Sequence, residues 1–136
     1  MGSLALLLFQ VGAWAWLVTG VGHLGFVALA RRGPARPALA GIVGAMRTHR
    51  VPLMGLTRDL YSLHVGFSVA MGLALAVHGA INLLAAPALA SHAAVVALDA
   101  LVSLALLVVA VRAFPPPPIA TMAVASACFA GALVAG

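Results

Sequence analysis

An all-α membrane protein, a polytopic four-helix bundle, is the fold class this sequence predicts, and three observations carry the prediction. Of the 136 residues, 65% are hydrophobic and 7% charged, with a mean hydropathy of +1.20. A water-soluble domain of that length needs far more polar surface to enclose its core. Four apolar stretches are each long enough, at about 1.5 Å per residue, to cross a hydrocarbon layer of roughly 30 Å. The charges fall mainly between these stretches: the seven basic residues are all arginines, and six of them precede the second stretch.

The first span is expected from about Ser3 to Ala30, stopping at Arg31-Arg32-Gly33-Pro34. Ala13 and Ala15 around Trp14 imitate a signal-peptidase site, but no Lys or Arg precedes the apolar run and the run is too long for a signal core, so the span is read as retained. Myristoylation is not expected, because Leu6 stands where its motif needs Ser or Thr. The second span covers about Leu60 to Ala85, and the third about His92 to Val111. The fourth, Ile119 to Gly136, is barely long enough to cross, so little tilt is expected of it. Before it, Pro115 to Pro118 reads as a stiff polyproline spacer of roughly 12 Å.

The connection 31–59 has structure of its own in prospect. Leu39, Ile42, Val43 and Met46 recur at helical spacing, with Arg36, Arg47 and Arg50 for a polar side. An interfacial helix and an ordered loop both remain open, because glycines weaken the helix. Arg31, Arg32, Arg36, Arg47, Arg50 and Arg58 are expected to contact anionic lipid headgroups, and Asp59 to pair with Arg58 at headgroup level. The first and third connections hold every arginine and the second, Ala86 to Ser91, holds none. The positive-inside rule then puts both termini on the outer, periplasmic side of a bacterial inner membrane. Nucleic acid is not an expected partner. Cys128 is alone, so no intramolecular disulfide forms.

Ionisable groups inside spans are costly and are the first place to look for function. His23 and His64 open the same tetrapeptide, HxGF, on antiparallel helices, and are expected at similar depth, where they could meet. Gly20, Gly22 and Gly25 match GxGxxG, but no strand precedes them and no acid follows at the right distance, so a dinucleotide turn is rejected. They read instead as a smooth surface that lets another helix approach His23.

On the second span, His64, Ser68, Met71, Leu75, His78 and Asn82 fall at steps of three and four, a polar seam facing the bundle interior. The His64 to His78 spacing resembles that of the paired histidines with which cytochrome b-type helices hold two stacked haems. The partner helix departs from that pattern, because His92 is too shallow to serve His78. Asp99, on the third span, is the expected partner of His78 and Asn82, either as a proton or ion site or as a hydrogen bond that fixes packing. Ala123, Ala127, Gly131 and Ala135, every fourth residue of the last span, mark a packing face inside the bundle or toward another subunit.

The stretch LYSLHVGFSVAMGLALAVHGAINL, together with the GxxH element ending at His23, resembles a group of small uncharacterised bacterial four-span membrane proteins over the first two helices. That resemblance implies the topology and no activity. No catalytic constellation and no metal-ligand cluster is expected. Three functional expectations follow: a non-catalytic accessory or assembly subunit of a larger inner-membrane complex, packing against other subunits or itself; a haem b or quinone-binding electron-transfer protein on His23, His64 and His78; and a small proton or ion carrier on His78, Asp99 and Asn82.

Overall fold

The computed structural model describes residues 2–33 and 37–136, which form six helices and one hairpin. Four helices are long and apolar enough to cross a membrane: α1 (Ser3–Arg32), α3 (Leu60–Leu84), α5 (Ala93–Ala113) and α6 (Pro116–Ala135). Between α1 and α3 lie α2 (Pro37–Thr48) and a two-stranded antiparallel hairpin, β1 (Arg50–Leu53) with β2 (Leu56–Asp59). A four-residue helix, α4 (Ala86–Leu89), turns the chain from α3 to α5.

Each helix ends where its sequence stops supporting it. Gly33 and Phe114 are extended, as residues before a proline are driven to be, and so close α1 and α5. Asp59 caps α3, accepting from the Ser62 N–H and hydroxyl at 2.8 Å each. This corrects the expected Arg58–Asp59 ion pair: the carboxylate is spent on the helix start, and among the described residues it makes no salt bridge. The polyproline spacer is also corrected. Pro115 is the N-cap and Pro116 to Pro118 form the first turn of α6, where the missing N–H groups would have had no helical partner. The fourth span therefore starts three residues earlier than expected.

The segment Pro37–Thr48, for which the sequence leaves a helix and a loop both open, proves helical, with no buried residue. The hairpin after it was not foreseen. Met54 and Gly55, both at positive φ, make its two-residue turn, as right-twisting hairpin turns demand. Arg36 lies outside the described residues.

The bundle is assembled around α1, which packs along α3 on one side and α6 on the other, while α6 packs along α5. Buried positions step by three and four, as interlocking left-handed bundles require: Gly72, Leu75, Gly79 and Asn82 on α3, and Met122, Ala125, Phe129 and Ala132 on α6. Phe9 and Phe129 meet edge to face, centroids 5.4 Å apart, and Gly12 leaves room for the Phe129 ring. The α6 row of small residues is not part of this core: Ala123, Ala127 and Ala135 are exposed, and Gly131 is half-buried near Leu8. Gly2 approaches the carbonyl of Ala135, so both termini share one end of the bundle.

Candidate functional site

One layer of the interior is polar, and it is built from three helices. Trp16 (α1), His78 and Asn82 (α3), and Asp99 and Ser103 (α5) come together there. The α1–α3 crossing sets the level. A side chain at Gly79 would strike the Ala13 carbonyl at 2.8 Å, and one at Gly20 the Gly72 carbonyl at 2.7 Å, so the two backbones touch. This register brings Trp16 opposite His78, with ring centroids 4.3 Å apart and a tilt of 44°.

Asp99 is 2% exposed, and both its oxygens are engaged. His78 Nε2 lies 2.8 Å from Oδ1, and Asn82 Nδ2 donates to Oδ2 at 3.0 Å. With the carboxylate ionised it can only accept, and in that state Nε2 carries the hydrogen and donates. The 3.2 Å approach of Asn82 Nδ2 to the same ring nitrogen is then proximity between two donors. Trp16 Nε1 donates to Ser103 Oγ at 2.7 Å, fixing the indole that lies against His78. One helix further on, the Thr19 and Thr121 hydroxyls lie 2.7 Å apart and join α1 to α6.

The sequence thus located His78, Asn82 and Asp99, which the structure brings together, and passed over Trp16 and Ser103. Their signal was available: Trp16 and Ser103 sit at the depth of His78 and Asp99, and both carry a polar group inside a span.

His23 and His64 do not meet. His23 is beside Gly72, its Nε2 buried and without a hydrogen-bond partner, whereas His64 is exposed eight residues, about 12 Å, away along α3. Counting depth from the span ends failed because α1 and α3 do not end at the same level. Nothing approaches Gly22 or Gly25, so Gly20 is the one glycine of that trio that admits a neighbour. The expected seam on α3 is correspondingly half right: it is buried around Leu75 and Asn82 and exposed at His64. His92 holds the N-cap position of α5 without a side-chain cap bond.

The arginines gather at the opposite end from the termini. Arg31 and Arg32 close α1, Arg47 and Arg50 follow on α2 and β1, Arg58 is on β2, and Arg112 is in the last turn of α5. The Arg47 guanidinium sits 4.8 Å over the Tyr61 ring, which ties α2 to α3. Among the described residues no group of three or more His, Cys, Asp or Glu is gathered as a metal site would need. Comparison with family models, with curated proteins and with solved structures returned no match.

Proposed function

We propose that this chain is a non-catalytic accessory or assembly subunit of a larger bacterial inner-membrane complex, related in its first two spans to small bacterial four-span proteins. The observation that carries this reading is how the interior polar groups are used. Asp99, His78, Asn82, Trp16 and Ser103 bond to one another across three helices, so their hydrogen bonds hold the bundle together. The exposed row Ala123, Ala127 and Ala135 on α6 supports a partner helix, because small side chains allow close backbone approach. The arginine cluster at one end supports an orientation with that end in the cytoplasm, against anionic headgroups, and both termini in the periplasm.

A haem b or quinone role on His23, His64 and His78 draws less support: the three rings stand at separate levels, and His78 Nε2 is taken by Asp99. Purification from its native membrane in mild detergent separates the two. The accessory role predicts stoichiometric membrane partners and a colourless preparation. A Soret band that disappears in His64→Ala would sink it.

A further inference from the structure

The α3–α5 seam differs from the close-packed contacts of α1 with α3 and α6, and of α6 with α5. The two helices approach each other's backbones at isolated points at most, and the gap is bridged by His78 and Asn82 reaching Asp99. Asp99 is closed off, but the His78 side chain is 39% exposed. It lies six residues, about 9 Å, from the end of α3 that shares its side with the termini. With Nε2 donating to Asp99, Nδ1 is the free acceptor of the ring, and among the described residues no hydrogen bond reaches it.

We propose that His78 and Asp99 form a proton-binding site on the α3–α5 seam, in which Nδ1 of His78 takes up one proton from water and Trp16 senses the change. The step is a single N–H bond formed at Nδ1. The proton comes from hydronium, whose O–H bond breaks to leave water, and the imidazolium keeps its Nε2–H on the Asp99 carboxylate. The neighbours suit the charged ring. The carboxylate supplies the opposite charge at 2.8 Å, and the indole face lies against the imidazole at 4.3 Å between centroids, within cation–π range. Among the described residues no other charged group makes a contact with the site: α1 offers Trp16, α3 offers Asn82 and α5 adds Ser103. His23 is seven residues further along α1, and Cys128 on α6 makes no hydrogen bond to the cluster. The inference rests on the fold and not on the accessory role, so it stands or falls separately from the search for partners.

The test uses the full chain in lipid nanodiscs with Trp14→Phe, which leaves Trp16 as the single tryptophan. Its emission is followed from about pH 4 to about pH 9, a range that brackets ordinary histidine. The expected result is a one-proton quench as pH falls, because imidazolium quenches indole, with the step absent in His78→Gln. Asp99→Asn should alter the midpoint of that step, since Nε2 then faces an amide in place of the carboxylate, and a midpoint unmoved by it overturns the part given to Asp99. Nitrogen-15 NMR of histidine-labelled, otherwise unaltered protein reads the same event without relying on a variant that could misfold. A Trp16 step that survives in well-folded His78→Gln, or a His78 ring whose Nδ1 stays unprotonated across the range, overturns the proposal.

Discussion

The two faces of α3 are built by opposite means. Toward α1 the contact is backbone against backbone, opened by Gly20, Gly72 and Gly79. Toward α5 the backbones stay apart and polar side chains cross the gap. In lipid the hydrophobic effect does not draw helices together, so association depends on packing and hydrogen bonds. This bundle uses each on a different side of one helix. The glycine face gains many small dispersion contacts and tolerates no added atoms. The polar face gains a few directional bonds and tolerates a gap.

That contrast breaks most visibly at the glycines. Gly20→Leu, or Gly79→Leu, drives a side chain into the facing backbone and should destabilise the bundle by about 3 kcal/mol or more, the upper end for overpacking. Reversible unfolding in mixed micelles measures it. Gly22→Leu, at a position nothing approaches, is the control and should be near neutral. Equal losses at Gly20 and Gly22 would mean that α1 and α3 do not cross as described.

On the polar face the losses should be smaller. Asp99→Asn keeps the shape and removes the charge, and should cost about 2 kcal/mol in the same assay. Combined with His78→Gln it should cost less than the two singles added, because each removes the same bond. Additive losses would show that the pair does not bridge α3 and α5. Trp16→Phe, which strips the donor from Ser103, should cost about 1 kcal/mol.

The same contrast decides what was legible in the sequence. The four spans follow from apolar length alone, and the Asp99–His78–Asn82 cluster from the rarity of ionisable groups in lipid. The glycine face was half legible: Gly20 stands among three similar glycines, and only the register of α1 on α3 singles it out. The same register parted His23 from His64 despite their shared HxGF. Depth counted from the span ends assumes that α1 and α3 end level, and the contacts of Gly20, Gly72 and Gly79 show that they do not. The hairpin was missed because its eight strand residues are too few to show a period, leaving Met54-Gly55 as a weak turn cue. The prolines that cap and open α6 do not form a spacer: a run of four suggests polyproline, but a helix accepts proline in its first turn.

The smallest expected effect lies outside both faces, at the start of α3. The Ser62 backbone N–H, then its hydroxyl, and more weakly Arg50, hold the Asp59 carboxyl below the ordinary carboxylate range. A folded value below the unfolded one means that the ionised cap contributes fully above about pH 4 and is lost as pH falls through the folded value. The Ser62 amide should therefore shift and lose exchange protection on acidification, whereas the amides of α3 beside Gly72 and Gly79 should not respond. Asp59→Asn retains an N-cap acceptor without the titrating proton, so it should keep α3 starting at Leu60 and abolish the pH response. A Ser62 amide indifferent to acid in the unaltered chain would show that the cap is not made. An acid response that spread to Gly79 would be the more instructive failure, because it would mean that the glycine face depends on how α3 begins and is not fixed by its own close packing.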